Sequence, residues 1–340
     1  MLAMKNIYTL ILFTFLVIGV RAQDPHFSQF FSSPLTLNPA FTGKFDGDVR
    51  LTGDYRNQWP SINNAFITST GAVDAHVAKR NLADNDNWGI GAVFLTDNSA
   101  NGAVKFNYFT FSTAYHKGLD EDGRNQLSGG AQVTYANMMI NTSSLKFEDQ
   151  LTANGFTKPV SIENFGNNTT LSTNYFDLNA GLLYTGSTSE RNSFYVGASV
   201  YHINKPTQKL TAASSYSINP RTTIHAGGYT ILSPGTTLHY SAIETLQGGA
   251  NETVLGGTFQ FIANPEEESP TSLFVGSWLR VKDAFIPYVG LEYMDTRIGI
   301  TYDVNTSNLK TASNKQGGIE IAVNYIYRAS KDKPIHCPRF

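Results

Sequence analysis

Two short stretches of the sequence place acidic and basic side chains two residues apart. Asp74 and His76 form one pair, with Arg80 beyond them, and Asp54 and Arg56 form the other. In an extended strand, residues two apart point to the same face, so each pair can meet. A hydrolase would need a nucleophilic serine beside the Asp–His pair, and nothing in the sequence nominates that serine. Both pairs are therefore interpreted as ion pairs that neutralise charge inside the molecule.

The other chemical signals in the sequence are weak. The acidic run that begins at Pro265 has ligands for a cation, but a short charged turn is more often simply solvated. The sequence contains no glycine-rich nucleotide-binding motif, no P-loop and no His-Glu-x-x-His zinc motif. We therefore predict no catalytic residue, no metal ion and no cofactor, and do not expect an enzyme.

Composition excludes two further classes of protein. The 340 residues include 25 Lys and Arg against 27 Asp and Glu, which lacks the basic surface of a nucleic-acid-binding protein. The single cysteine, Cys337, excludes an intrachain disulfide and with it a disulfide-stapled secreted scaffold. Charged residues make up only 15% of the chain, whereas roughly 25% is usual in soluble domains.

The N-terminus has the pattern of a secretory signal peptide. Lys5 precedes the apolar run ILFTFLVIGV, and Val20, Arg21 and Ala22 form a small-x-small cleavage site. We predict a signal peptide over residues 1–22, with cleavage near Ala22–Gln23. No later apolar run approaches the roughly 18 residues that a membrane-spanning helix needs. The mature protein is therefore expected to be exported without a membrane helix.

The rest of the chain alternates between apolar and small polar residues with a period of two, which predicts strands. In RIGITYDV, Ile298, Ile300 and Tyr302 share one face, opposite Gly299 and Thr301. The polar face carries little Lys or Glu, as in a membrane barrel whose apolar face meets lipid. Aromatic residues also cluster near segment ends, where an interfacial girdle would lie: Tyr293, Tyr302, Tyr325 and Tyr327.

The segments number about fourteen, which predicts an all-β, antiparallel transmembrane β-barrel over residues 47–328. The predicted strands begin near Val49, Phe66, Trp88, Val104, Gln126, Tyr175, Phe194, Thr222, Thr236, Thr253, Ser272, Phe285, Arg297 and Gly317. The odd-numbered connections include the longest ones, so they are expected to be outer loops, with both termini of the barrel in the periplasm. The longest connection, residues 141–173, offers Phe147, Phe156 and Phe165 as candidate partner contacts.

A segment before the barrel, residues 23–46, is apolar yet broken by two prolines, Pro34 and Pro39, which forbid a regular strand or a long helix. Because it lies between the signal peptide and the first strand, we expect it to start on the periplasmic side. It should fold into the lumen as a plug, pack in the periplasm under the barrel mouth, or dock on a partner. We predict that it packs on its own barrel. Its candidate contacts are Phe27, Phe30, Phe31, Leu35, Asn38 and Pro39.

A short tail, residues 329–340, follows the last predicted strand and should lie in the periplasm. Cys337, Arg339 and Phe340 are its candidate contacts with a periplasmic component. Cys337 could equally form a disulfide with a partner or stay a free thiol.

Several motifs in this order resemble the PorP/SprF family, outer-membrane proteins of the type IX secretion system of Bacteroidota. The resemblance begins with QDPHFSQ at Gln23 and continues through YRNQW at Tyr55 and LSGGAQVTYANMMI at Leu127. It extends over FYVGASVYHINKP at Phe194 and GITYDVNTSNL at Gly299, and so covers essentially the whole mature chain. One departure is visible: where relatives often carry Gly-Ser-His-Glu-Ile, this chain has GGIEI, without the histidine.

The resemblance implies a barrel without catalysis. Its partners would be type IX secretion components, or a large secreted adhesin with a type B C-terminal sorting domain that the barrel helps to export or to hold on the cell surface. Two alternatives from other classes stay open at this point. One is a passive porin or a channel for small hydrophobic solutes, and the other is an outer-membrane hydrolase.

Overall fold

The computed structural model describes residues 24–62, 65–77, 82–83, 85–159, 161–162, 169–211, 214–263 and 271–329. The predicted signal peptide, the acidic turn at Pro265, Arg80, Phe165 and the tail contacts Cys337, Arg339 and Phe340 lie outside these residues. In the described part of the chain, no helix is both long and apolar enough to cross a membrane.

Fourteen strands close into one barrel in which every neighbouring pair is antiparallel, as the sequence predicts. The first seven are Val49–Gln58 (β1), Phe66–Val77 (β2), Asn87–Ser99 (β3), Val104–Gly118 (β4), Gln126–Asn141 (β5), Thr170–Ser189 (β8) and Asn192–Tyr201 (β9). The other seven are Arg221–Ser233 (β12), Thr236–Gln247 (β13), Ala250–Ala263 (β14), Thr271–Arg280 (β15), Ala284–Tyr293 (β16), Thr296–Asn305 (β17) and Gln316–Tyr327 (β18). The first and last strands pair with each other, so the sheet of the barrel closes on itself.

Two hairpins lie in the long connections of the barrel. Leu151–Thr152 (β6) pairs with Gly155–Phe156 (β7) between β5 and β8, and Thr207–Thr211 (β10) pairs with Ser214–Ser217 (β11) between β9 and β12. Single 3-10 turns cover Ala100–Gly102, Thr142–Ser144, Glu148–Gln150 and Asn308–Lys310.

The alternation of residue types along each strand separates lipid-facing from lumen-facing side chains. On β17, Ile298, Ile300 and Tyr302 are exposed on the outside, and Thr301 and Asp303 are buried inside. The barrel therefore turns its apolar face outward, as a chain surrounded by lipid requires.

The two ends of the barrel differ in their connections. At one end, which we call the terminal end, β1 begins, β18 ends and the turns are compact, such as residues 190–191 and 294–295. At the opposite end, the long-loop end, lie the two longest connections, residues 142–169 and 202–220. The strands β4, β5 and β8 are also the longest of the barrel. The part of the barrel wall that they form is therefore taller than the rest.

Candidate functional site in the barrel lumen

The lumen is occupied by residues 24–46, which we call the inner segment. It contacts lumen-facing side chains on all sides of the barrel, including Arg50 on β1, Gln132 on β5 and Tyr288 on β16. Within the segment, Pro34–Leu37 form one helical turn (α1), and the 3-10 turn Pro39–Phe41 follows directly. The two prolines each begin a turn, where their missing N–H costs nothing.

The inner segment runs from one end of the barrel to the other. The backbone N–H of Asp24 donates to Gln247 at the long-loop end, at 2.9 Å. At the terminal end, the N–H of Asp48 donates to the carbonyl of Tyr327, at 2.9 Å, where β1 starts. This differs from the expectation that the segment starts on the periplasmic side, at the terminal end. The first described residue of the segment lies at the long-loop end, and the chain crosses the lumen before β1.

Two carboxylates hold the start of the segment. Glu320 on β18 accepts from the backbone N–H groups of Ser28 and Gln29, at 2.7 and 2.6 Å. Asp303 on β17 accepts from the hydroxyl of Ser28, at 2.8 Å. These groups are fully buried, so each hydrogen bond satisfies a donor that would otherwise lose its water.

Two arginines neutralise these carboxylates. Arg56 lies 2.9 Å from Asp303 and 3.1 Å from Glu320, and Arg280 on β15 lies 2.9 Å from Asp303. The sequence prediction paired Arg56 with Asp54, whereas the structure gives Arg56 these two other carboxylates. Asp54 itself is buried beside them on the same face of β1.

Both members of the other predicted pair contact the inner segment. Asp74 binds Arg50, at 2.8 Å, and accepts from the backbone N–H of Gly43, at 2.7 Å. A ring nitrogen of His76 lies 2.6 Å from the carbonyl oxygen of Gly43. Both Asp74 and His76 therefore fix the last part of the inner segment, near the terminal end.

A third cluster of charged side chains fixes Asp24, the first residue that the structure describes. Its carboxylate lies 2.6 Å from His202 and 3.4 Å from Arg221, and Asp177 lies 3.0 Å from the other ring nitrogen of His202. Burial opposes the charge on Asp24, but Arg221 and His202 lower the pKa of its carboxyl to about 2. Burial also opposes the charge on His202, but hydrogen bonds to Asp177 and Asp24 raise the pKa of this histidine to about 9.

Apolar side chains fill the space between these ion pairs and hydrogen bonds. Phe27, Phe30 and Leu35 are buried, and Phe31 stacks on Trp278 of β15 with ring centroids 4.5 Å apart. Burying an aromatic or leucine side chain contributes about 1.5–3 kcal/mol each. The candidate apolar contacts of the segment thus lie against its own barrel.

The side chain of Asn38 makes four polar contacts. Its amide nitrogen donates to the carbonyls of Leu182 and Ala198, at 3.0 and 3.2 Å, and lies 2.9 Å from a ring nitrogen of His225. Its amide oxygen accepts from the backbone N–H of Ala40, at 2.8 Å. Asn38 therefore caps the 3-10 turn and ties it to β8 and β9.

Lumen-facing glycines leave room for this turn to lie against the barrel wall, and these glycines were not predicted from the sequence. A Cβ on Gly181 would lie 1.9 Å from the side chain of Asn38, and one on Gly130 would lie 2.4 Å from the backbone of Pro39. Neither glycine has a positive φ, so what they provide is room for a close backbone approach. Their position on the polar face of predicted strands was the only available signal.

Two cavities flank the inner segment. One, of about 120 Å³, extends to the terminal end, and the other, of about 130 Å³, lies toward the long-loop end. Phe30 and Leu37 line both cavities. These two side chains therefore form a wall between the two halves of the lumen.

The candidate outer-loop contacts lie apart from the lumen. Phe156 is exposed on the β6–β7 hairpin, with the ammonium group of Lys146 5.6 Å from its ring centre. Phe147 precedes a 3-10 turn in the same connection, and its backbone N–H is bonded to the side chain of Gln150, at 2.9 Å. Among the described residues, no group of three His, Cys, Asp or Glu side chains is placed to hold a metal ion.

Solved structures to which this chain is similar include two bacterial toluene transporters and a FadL homologue. The Pseudomonas putida toluene transporter TodX is 9% identical, with a TM-score of 0.49 and coverage of 90% of this chain and 95% of that chain. The Ralstonia pickettii toluene transporter TbuX is 8% identical, with a TM-score of 0.47 and coverage of 87% and 94%. A Pseudomonas aeruginosa FadL homologue is 10% identical, with a TM-score of 0.46 and coverage of 86% and 93%.

The family assignment comes from the sequence itself. No curated protein matches it significantly. A family model described as type IX secretion system membrane protein PorP/SprF matches residues 20–325, nearly the whole chain. Together with the closed fourteen-stranded barrel, this match makes the protein an outer-membrane component of that secretion system. The chain belongs to the PorP/SprF family.

Proposed function

We propose that this protein is a non-enzymatic barrel that supports type IX secretion by presenting its long-loop end to a cargo protein. The cargo class that fits the family is a large secreted adhesin with a type B C-terminal sorting domain, which the barrel helps to export or to anchor. Other type IX components and the lipid of the outer membrane are its further partners, and nucleic acid is not among them.

The proposal gives each part of the chain a role. Residues 1–22 are a signal peptide that is removed near Ala22–Gln23, and residues 23–46 plug the lumen. Residues 47–328 form the membrane barrel, with the long-loop end at the cell surface. The tail, residues 329–340, reaches into the periplasm, where Cys337, Arg339 and Phe340 are available to a secretion component.

One observation carries the proposal: the lumen is filled and its filling is bonded to the wall. Backbone N–H groups of Ser28 and Gln29 bind the buried carboxylate of Glu320, and Asn38 binds β8 and β9. A polypeptide cargo could pass only if these buried hydrogen bonds and ion pairs were broken together. A cargo is therefore expected to bind the outside of the barrel ends rather than to thread through it.

The long-loop end offers a surface for such binding. In the connection between β5 and β8, Leu151, Phe156 and Ile162 are all exposed. The β10–β11 hairpin stands beside β8, where the N–H of Lys209 donates to the hydroxyl of Thr173, at 3.2 Å. A β-rich sorting domain can pair with short strands of this kind.

A loop exchange tests the proposal. Residues 146–162 are replaced by a Gly-Ser linker of equal length, and surface retention of type IX cargo is measured on intact cells. We expect the barrel to reach the outer membrane as before, whereas cargo on the cell surface is lost.

The matched control replaces the terminal-end turn, residues 119–125, in the same way, and it should leave cargo retention unchanged. Unaltered export and retention in the 146–162 variant would refute a role for this loop. Equal loss in both variants would point to a general folding defect.

A second candidate function is a passive channel for small solutes. It is favoured by the two cavities, which share Phe30 and Leu37 as lining residues. Single-channel recordings in planar bilayers distinguish the two functions. Our main proposal expects no steady conductance from the wild-type barrel, and a channel would give open steps without any cargo.

A further inference from the structure

The cavity on the terminal side of the inner segment is lined by a cluster of aromatic rings. Phe31 stacks on Trp278 with centroids 4.5 Å apart, and Tyr288 meets both rings edge to face, at 5.4 and 5.6 Å. Tyr229 and Tyr240 line the same cavity. Flat ring faces and ring edges at right angles favour binding of another aromatic ring.

The charges that line this cavity are already compensated. Arg297 lies 2.6 Å from Glu292 and 4.4 Å from the ring centre of Phe274. Arg328 pairs with Asp295. An ionic ligand would therefore have to displace an existing pair and lose its own hydration, which costs more than an uncharged ligand would lose.

The cavity has the size and the access of a small-ligand site. Its volume is about 120 Å³, of the same order as the buried apolar cavity of about 150 Å³ that is known to bind benzene. Met294 and Asp295, which belong to the β16–β17 turn, line it at the terminal end. Phe30 and Leu37 close its inner side, so the cavity ends within the lumen.

We propose that this cavity is a binding site for a small uncharged aromatic molecule, of about one ring, that enters from the terminal end. The site holds its ligand against Phe31, Trp278 and Tyr288 and does not pass it on through the lumen. This inference does not rest on the secretion proposal, because it concerns a separate surface and needs no cargo protein.

The test uses the fluorescence of Trp278. The chain has three tryptophans, so the full-length protein with Trp59→Phe and Trp88→Phe reports on Trp278 alone. Bromobenzene, a heavy-atom quencher of one ring, is titrated into the purified protein in detergent micelles. We expect saturable quenching by bromobenzene and no saturable quenching by the charged analogue 4-bromobenzoate.

Thr258 provides a matched pair of variants. It lines the cavity, and its buried hydroxyl has no hydrogen-bond partner among the described residues. Thr258→Val keeps the shape and should retain saturable quenching, whereas Thr258→Phe fills the cavity and should lose it. Non-saturable quenching that is equal in all three proteins would mean simple partition into micelles and would overturn the proposal.

A crystallographic measurement decides the matter if Thr258→Phe does not fold. Crystals of the wild-type protein are exposed to iodobenzene, and the anomalous signal of iodine is located. A peak between Phe31, Trp278 and Tyr288 is expected. Iodine found only on the lipid-facing surface would reject the site.

Discussion

At the scale of single residues, buried charge determines how the inner segment is held. Arg56 pairs with both Asp303 and Glu320, and Arg280 pairs with Asp303. The two carboxylates also bind Ser28 of the segment. A buried pair adds little net stability over an apolar pair of the same shape, but removing one member leaves a bare charge in a low dielectric. These residues therefore make one position of the segment much lower in free energy than any other.

Removing the guanidinium of Arg56 should be severely destabilising. Arg56→Met keeps the side-chain stem but leaves Glu320 without its arginine, so the free energy of unfolding should fall by about 3–5 kcal/mol. Urea unfolding in detergent micelles measures this change. Lys117→Met is the control, because Lys117 pairs with Asp86 from a position 55% exposed, and it should change stability little. Equal effects of the two variants would contradict the account.

A methyl group on Gly181 should dislodge the turn at Asn38. Its Cβ would lie 1.9 Å from the Asn38 side chain, so Gly181→Ala should cost about 1–3 kcal/mol through overpacking. The same substitution at Gly71, where a Cβ meets nothing within 4 Å, is the control. Proteolysis of the inner segment in the folded barrel measures the release. Equal resistance of the two variants would show that the turn does not need the glycine.

The group around Asp24 predicts how stability depends on pH. Hydrogen bonds to Asp177 and Asp24 raise the pKa of His202 to about 9 from 6.5, against the effect of burial. Its contribution is therefore complete below pH 6.5 and is lost as the pH rises toward 9.

The measurement is the difference in unfolding free energy between the wild type and His202→Gln, taken from pH 6 to pH 10. This difference should shrink as the pH rises through that range. The pKa of Asp24 is lowered instead, from 3.8 to about 2, so its contribution is lost only in acid, as the pH falls through that interval. A difference that stays constant with pH would refute the charged state of His202.

At the scale of elements, period-two alternation was enough to locate the strands. The predicted starts at Val49, Phe66, Val104, Gln126 and Thr236 coincide with the observed ones. The start near Tyr175 was placed too late, because β8 begins at Thr170 and extends beyond its neighbours at the long-loop end. An alternating pattern reports which side a residue faces, and it does not report where pairing begins.

The ion-pair partners of the charged residues could not be predicted from the period-two alternation of the sequence. Arg56 faces Glu320 because barrel closure pairs β1 with β18 and sets their register. Such a contact joins residues at opposite ends of the sequence, and a shift of either strand by one residue would turn its side chain to lipid. The route of the inner segment was hidden for the same reason, since it depends on contacts with almost every strand.

The wall between the two cavities leads to a prediction for the inner segment. Phe30→Ala with Leu37→Ala removes the two side chains that line both cavities and should join them into an open path. Ion conductance in planar bilayers should rise above that of the wild type. Phe27→Ala is the control, because Phe27 lines only the cavity on the long-loop side. Unchanged conductance in the double variant would place the barrier elsewhere.

At the scale of the whole molecule, the barrel is a closed ring whose interior is part of its own fold. Its lipid-facing surface is apolar, its lumen is filled by residues 24–46, and its long connections gather at one end. In a secretion protein of this kind, the two ends of the barrel are the surfaces that a partner protein can contact. On the proposed function, its role in the type IX system follows from what binds those ends and does not require a pore.

The most direct test locks the inner segment in place and asks whether secretion continues. The hydroxyls of Thr42 on the segment and Ser112 on β4 lie 2.5 Å apart, so Thr42→Cys with Ser112→Cys, in a Cys337→Ser background, should form a disulfide. Thr42→Cys alone is the control. We predict that oxidised cells export and retain type IX cargo as the control does. Export that stops on oxidation and resumes on reduction would mean that the segment must leave the lumen, and would contradict the account.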